Sequence, residues 1–148
     1  MIRLAVNSDI DGITNLARQM FKQSIYSKHE WHEDFFKSLA GKYIAGDRLL
    51  AMVYEKDKEV QGFFFANIVG SFYGPPRQAT QQLFFIHPMH RGGKAAVTMM
   101  KKFEHWGRAM GCDTLCFAQT AFGADDRWQK FCQNLGYTHV GAVFFKGL

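Results

Sequence analysis

Apolar residues recur along this chain with two periods, and each period predicts one kind of secondary structure. Short runs rich in β-branched and aromatic residues predict strands over residues 2–6, 49–54, 60–69, 80–86, 114–119 and 138–146. Apolar positions three and four residues apart predict helices over residues 10–21, 31–39, 94–110 and 126–135. Ser8 and Asp125 are the expected capping residues of the first and last helix. The predicted order is β-α-α-β-β-β-α-β-α-β, a mixed α/β (α+β) fold with a six-stranded sheet covered by helices.

The connections indicate how the strands pair. The charged turn 55–59 joins two strands into an antiparallel hairpin, and a Gly/Pro-rich loop is expected over residues 70–77. The strands before and after the helix at 94–110 should be parallel, because a crossover between parallel strands needs a dozen or more residues. We therefore expect a mostly antiparallel sheet with one parallel pair.

Length and composition favour one domain, 1–148, since 148 residues with 47% hydrophobic positions can bury a core without disulfides or a metal. No apolar run approaches the ~20 residues of a membrane span, and the N-terminal residues lack a secretory signal, so we expect a cytoplasmic protein. Cys112, Cys116 and Cys132 are odd in number and contain no CxxC pair, which indicates reduced thiols and no metal site.

Charge narrows the class of partner. There are 18 basic and 13 acidic residues, a net charge of +5, which favours an anionic ligand. Most of the excess lies in residues 88–110. That segment has one acid, Glu104, against five basic residues: Arg91, Lys94, Lys101, Lys102 and Arg108.

A strand ending at Pro88, the turn Arg91-Gly92-Gly93 and a basic helix start form a candidate anion site. Unpaired N–H groups and the helix dipole at a helix N-terminus favour phosphate oxygens, and glycines allow close approach. The same pattern also describes a plain tight turn into a solvated helix.

Residues 84–96, FFIHPMHRGGKAA, resemble the acetyl-CoA-binding segment of the GNAT N-acetyltransferase superfamily, whose signature is [Q/R]-x-x-G-x-[G/A] after a strand. Residues 128–137, WQKFCQNLGY, are similar to the family's late helix ending in Leu-Gly-Phe. The element order agrees with the family from about residue 2 to 146.

The resemblance implies an acetyltransferase that moves an acetyl group from acetyl-CoA to an amine by direct attack. It implies that the CoA pyrophosphate is held by a short stretch of loop and helix: Arg91, Gly92, Gly93, Lys94, Ala95 and Ala96. The backbone of the strand around Phe85 and Ile86 would bind the pantetheine arm and the thioester oxygen, where the parallel strands splay apart. The acceptor would be an amine-bearing small molecule, or a protein N-terminus or lysine, selected by segments 21–47 and 70–77.

The sequence departs from the family pattern at three positions. Lys94 stands where the first glycine is expected if Arg91 begins the signature, although starting from His90 would instead place Gly93 there. Cys132 occupies the usual place of a Tyr acid, and is interpreted either as a proton donor or as a packed thiol. Gln82 stands where many members of the family have a Glu that acts as a base, and the amide of Gln82 cannot take a proton at neutral pH.

Histidines are alternative bases, and His87 beside the loop is the candidate, with an ordinary loop residue as the simpler interpretation.

Other hypotheses remain open. One is a degenerate CoA-binding protein of the same fold. Another, which is weaker, is a basic nucleic-acid-binding module, because residues 62–65 resemble an RNA-recognition strand only loosely. The aromatic closing strand is interpreted as a covered edge or a homodimer contact.

Overall fold

A computed structural model describes residues 1–118 and 126–148. The strands are β1 (Ile2–Leu4), β2 (Leu49–Lys56), β3 (Glu59–Ser71), β4 (Gly74–Ile86) and β5 (Thr114–Cys116). The helices are α1 (Ile10–Lys22), α2 (Glu33–Ala45), α3 (Lys94–Ala109) and α4 (Asp126–Asn134), with short 3-10 turns at Asn7–Asp9 and Pro88–His90. None of these helices is long and apolar enough to span a bilayer.

One sheet holds the five strands in the order β1-β2-β3-β4-β5. The first three pairings are antiparallel, and β4 pairs with β5 in parallel. The mixed sheet and its parallel pair are thus confirmed. Gly107 lets α3 pack closely on this pair, since a Cβ there would lie 2.8 Å from Leu115 Cδ2 and 3.3 Å from Ala79 Cβ.

Strand alternation divides the core between the two faces of the sheet. Phe63 and Phe65 are fully buried on the face covered by α1 and α2, whereas Phe64 between them packs with Phe103 of α3 on the other face. Three consecutive phenylalanines therefore serve two cores, as expected of a strand buried on both sides.

Two predicted connections differ in the structure. The β2–β3 turn is reduced to Asp57 and Lys58, both with positive φ (54° and 64°), the two-residue geometry that matches strand twist. The expected loop 70–77 was wrong: β3 and β4 continue as a hairpin, and only residues 72–73 connect them. Pro75 and Pro76 are accommodated because the β5 pairing begins only at Gln78 and the register with β3 is interrupted between Gly74 and Gln78, so neither residue has to donate to a ladder.

The sheet has five strands where six were expected, because residues 138–146 form no strand in the described chain. Phe145 instead packs edge-on against Tyr26, with ring centroids 5.6 Å apart. Ser8 lies in the 3-10 turn and Asp9 is the residue that precedes α1, so the expected Ser8 cap was also wrong. Gln119, at the end of the fifth predicted strand, and the predicted cap Asp125 lie outside the described residues.

Candidate functional site

Strands β4 and β5 diverge after a short shared stretch. Only Gln78–Thr80 pair with Thr114–Cys116, although β4 continues to Ile86. Just beyond the last pair, the side chain of Gln81 bridges the two strands, accepting the N–H of Ala118 at its Oε1, 3.2 Å away. The second half of β4 therefore has no β5 partner among the described residues, and we call this unpaired edge of β4 the opening.

A β-bulge marks the start of the divergence. Phe65 opposes Leu83 while the next residue, Ala66, opposes Gln81, so Gln82 is the extra residue. Residues two apart on a regular strand face the same side of the sheet, and the bulge breaks this rule in β4. Leu83 packs toward α1 and α2, whereas Gln81 is buried and its side chain reaches toward β5. Gln82 itself is exposed and donates from Nε2 to Asn67 Oδ1 at 3.0 Å.

The end of β4 presents its backbone to the opening. The His87 N–H donates to the Gln61 carbonyl at 2.8 Å. Hydrogen-bonded and non-hydrogen-bonded residue pairs alternate along antiparallel strands, so the next pair, Gly62 and Ile86, is not hydrogen-bonded. The N–H and carbonyl of Ile86 consequently point away from β3. Phe85 and Ile86 are both 6% exposed, so their side chains fix this strand end in the core.

The chain then turns into α3 through Gly92 and Gly93. Gly92 has φ +80°, a conformation that favours glycine, whereas Gly93 is extended and precedes the helix without a side-chain cap. Lys94 is exposed, while Ala95 and Ala96 are half-buried against the α3 core. The first turn contains no acid, so its free N–H groups keep their positive potential.

Arg91 is engaged by β4. Its Nε donates to the Ile86 carbonyl at 2.8 Å, and its guanidinium carbon lies 5.0 Å from the centre of the Phe85 ring. The loop is thereby tied to the strand whose backbone faces the opening.

His87 has a local structural role. Its Nδ1 accepts the Met89 N–H at 3.3 Å, at the start of the 3-10 turn, and its ring lies 5.9 Å from that of His90. In the neutral imidazole the proton is then carried by Nε2, so Nδ1 is already occupied.

Cys132 is half-buried on α4, and burial raises the pKa of its thiol. Tyr137 follows the helix, its N–H donating to the Cys132 carbonyl at 3.0 Å. Burial, and secondarily Cys132, Glu104 and Cys116, raise the pKa of Tyr137 to about 12. Both groups therefore remain protonated at neutral pH.

Aromatic side chains join α4 to the diverging strands. Trp128 stacks on Phe84 of β4 and Phe131 of α4, with centroids 6.0 and 4.9 Å apart, and contacts Phe117 after β5 edge-on at 5.5 Å. The helix that carries Cys132 is thus packed over the opening.

Sequence reasoning missed two residues of this region. Gln81 could be found only through the bulge, which depends on cross-strand register. Tyr43 of α2, stacked on Phe65 at 4.9 Å, lies within the segment expected to select the acceptor but carries no motif. Within residues 1–118 and 126–148, no group of three or more His, Cys, Asp or Glu side chains could hold a metal ion.

Residues 10–137 match the profile of the acetyltransferase (GNAT) family, and the chain belongs to this family. No curated protein sequence matches significantly.

Solved structures share the fold over nearly the whole of both chains. Aminoglycoside N-acetyltransferase AAC(6')-Iy in complex with CoA is 18% identical, with a TM-score of 0.76, covering 100% of this chain and 98% of that one. The same enzyme with a bisubstrate analogue, CoA-S-monomethyl-acetylneamine, is 20% identical, with a TM-score of 0.77, covering 100% of this chain and 97% of that one. A predicted acetyltransferase with acetyl-CoA from Clostridium acetobutylicum is 12% identical, with a TM-score of 0.76, covering 99% and 95%.

Proposed function

We propose that this protein is an acetyl-CoA-dependent N-acetyltransferase that acetylates a primary amine. The observation that carries the proposal is the opening between β4 and β5, which leaves backbone groups of β4 facing outward beside the uncapped start of α3. Family membership and neighbours solved with CoA or acetyl-CoA support the same assignment.

The cofactor would be acetyl-CoA, held as the co-substrate at two places. The free N–H groups of Gly93, Lys94, Ala95 and Ala96, with the Lys94 ammonium, would bind the pyrophosphate, and the positive φ of Gly92 shapes the turn that aims them. Arg91 would act by fixing the loop to Ile86 as well as by its charge. The pantetheine arm would then lie along the backbone at Phe85 and Ile86.

The reaction would be a direct transfer. The lone pair of a neutral amine attacks the thioester carbonyl carbon, and the carbonyl oxygen gains negative charge that the outward N–H of Ile86 stabilises. The C–S bond then breaks as the carbonyl reforms. The nitrogen loses one proton and the CoA sulfur gains one, giving an acetamide and free CoA.

Solvent would carry both protons. Gln82 has no proton-accepting group at neutral pH, and His87 Nδ1 is already engaged. Cys132 is the candidate donor to the departing sulfur, but burial raises the pKa of its thiol and weakens it as an acid. Positioning and backbone polarity would therefore supply most of the catalysis.

Calorimetry with acetyl-CoA, followed by thiol release over a panel of amines, tests the proposal. We expect Lys94→Glu to weaken acetyl-CoA binding at least ~10-fold, because it places a carboxylate at the helix start. Lys102→Glu makes the same charge change at an exposed position farther along α3 and is the matched control. Equal effects of the two variants, or no binding at millimolar acetyl-CoA, would refute the assigned site.

The neutral Gln82 favours one second candidate, a CoA-binding protein of this fold without transferase activity. Binding of acetyl-CoA without thiol release from any amine would support it. Affinity for RNA that falls steeply with salt, with no response to CoA, would instead indicate the nucleic-acid-binding alternative.

A further inference from the structure

A cavity of about 240 Å³ lies between α2 and the sheet, beside the bulge of β4. Leu39 and Tyr43, one helical turn apart, line it from α2, and Phe65 of β3 and Leu83 of β4 line it from the sheet. Gln82 completes the lining. An apolar cavity of ~150 Å³ can hold benzene, so this volume admits one aromatic ring with a short chain.

The lining is uncharged and consists of two leucines, two aromatic residues and the amide of Gln82. Tyr43 and Phe65 stack almost in parallel, with 9° between their planes. Burial raises the pKa of Tyr43, so its hydroxyl stays neutral. Because Gln82 uses Nε2 to bind Asn67, its Oε1 is left to accept a hydrogen bond from a ligand.

Among the described residues, no carboxylate lines this cavity, and two of the three acids of α1 and α2 are paired with basic side chains. Glu33 of α2 is paired with Arg18, and Asp11 of α1 is paired with Lys37 at 3.0 Å. Amines with several charges would therefore meet an apolar surface here instead of counter-charges, and desolvating them would be costly.

The cavity lies close enough to the end of β4 for a single substrate molecule to reach both. Leu83 precedes Ile86 by three residues on an extended strand, a span of roughly 10 Å. A ring seated against Leu83 could thus carry its amine on a short chain toward the backbone that would face the thioester.

Building on the proposed function, we propose that the acceptor is a monoamine with a single aromatic ring on a short alkyl chain, the ring occupying the cavity between Tyr43 and Leu83. Apolar pockets discriminate by burial, so the ring should raise kcat/KM at least ~10-fold over the same amine without it.

Thiol release is measured with 2-phenylethylamine and 4-phenylbutylamine, against ethylamine and butylamine as ringless controls and neamine as a polycation. We expect both ring-bearing amines to exceed their ringless partners at least ~10-fold, and neamine to be the poorest substrate. Turnover with a ring effect below ~3-fold, or a preference for neamine, would overturn this inference while leaving the acetyltransferase proposal intact.

A binding measurement is independent of turnover. Titration of the protein with 4-phenylbutylamine should shift the NMR methyl signals of Leu39 and Leu83. Shifts without thiol release would refute the enzyme and support the cavity as a ring-binding site. Turnover without shifts of these signals would overturn the cavity assignment, and the absence of both turnover and shifts would refute both proposals.

A filled cavity provides the last test. Leu39→Phe should reduce the preference for ring-bearing over ringless amines at least ~5-fold, by occupying the space that the ring would take. Ser38→Phe adds the same ring at an exposed position of the same helix and should leave the preference unchanged. Leu83→Phe fills the cavity from the sheet and replaces Leu39→Phe if circular dichroism shows that variant to be unfolded. An unchanged preference in a folded filled variant would overturn the inference.

Discussion

The Nε of Arg91 donates to the carbonyl of Ile86 across 2.8 Å, which ties the glycine loop to the strand end that faces the opening. The guanidinium also lies over the Phe85 ring, so the positive charge of Arg91 is held against β4 by two contacts. Lysine cannot reproduce this geometry, because it lacks the planar fork of donors.

We expect Arg91→Met to lower kcat/KM for acetyl-CoA ~10- to 100-fold, the range expected for losing a charge-assisted hydrogen bond of about 1.5–3 kcal/mol. Arg91→Lys should recover only part of this loss, since it restores charge but not the bond to Ile86. Steady-state kinetics with varied acetyl-CoA measure both effects. Lys102→Met removes a positive charge from α3, away from the loop, and is the control; full activity of Arg91→Lys would show that charge alone matters.

Cys132→Ala tests whether the thiol at the family's Tyr position donates a proton. Loss of a general acid costs ~10²- to 10⁴-fold in rate. Because burial raises the pKa of this thiol, we expect kcat to fall less than ~10-fold. Cys116→Ala, at another half-buried thiol, controls for lost packing. A fall of 100-fold or more in kcat at unchanged KM for acetyl-CoA would instead establish Cys132 as the acid.

Much of the fold is predictable because its signals are local. The stripe of apolar residues between Gly93 and Gly111 defines α3, and its length is enough for the crossover that a parallel pair of flanking strands needs. The hairpin over residues 70–77 was not predictable, because glycine and proline normally interrupt strands. Pro75 and Pro76 are tolerable there because the pairing with β3 is interrupted and the pairing with β5 has not begun.

The site was predictable in position but not in detail. Charge and glycine spacing locate the start of α3, yet the direction of the Arg91 side chain depends on a carbonyl that only the folded strand brings near. The bulge at Gln82 is a mismatch between two strands, so it has no signature in either strand alone. Gln81, whose role follows from that bulge, was missed for the same reason.

Asp9 should make stability depend on acidic pH. Its carboxylate accepts two hydrogen bonds from Arg3, at 2.7 and 2.9 Å, and one from the Val6 N–H at 2.8 Å. The Arg3 bonds are the main cause of its lowered pKa, so the stabilisation is present above the unfolded pKa of about 3.9 and is lost as the pH falls through the lower folded value.

We expect Asp9→Asn to lower the free energy of unfolding by about 2 kcal/mol at pH 7, with a smaller deficit near pH 3. Urea unfolding at both pH values measures this difference. Asp34→Asn, at an exposed acid of α2, is the control. A deficit that stays constant with pH would show that the carboxylate charge is not responsible.

Lys58 is held in a left-handed conformation, φ 64°, at the second position of the β2–β3 turn. That conformation costs a non-glycine residue about 1–2 kcal/mol, only part of which is offset by the greater freedom of glycine in the unfolded chain. Lys58→Gly should therefore raise the free energy of unfolding by about 0.5–1 kcal/mol, measured by urea denaturation. Lys28→Gly, at an exposed loop position without positive φ, should not stabilise the protein.

The dependence of rate on pH distinguishes solvent from a protein base. An alkyl ammonium has a pKa of about 10.4, so without a base kcat/KM should rise ~10-fold per pH unit between pH 6 and 9, as the neutral amine becomes more abundant. Thiol release from acetyl-CoA with butylamine measures this slope. A flat profile in the native protein would mean that a side chain accepts the proton, and His87→Gln would then test the remaining candidate.

Gln82→Glu should remove that slope. A carboxylate at residue 82 that reaches the acceptor nitrogen through water can take the proton of a bound ammonium. The two ionisations then compensate, making kcat/KM nearly constant between the pKa of the glutamate and that of the amine. Activity at pH 7 should accordingly rise in this variant, whereas Gln82→Leu, which cannot accept a proton, should keep the native slope. If Gln82→Glu also keeps the native slope, residue 82 does not reach the acceptor nitrogen, and the acceptor must approach β4 from another direction.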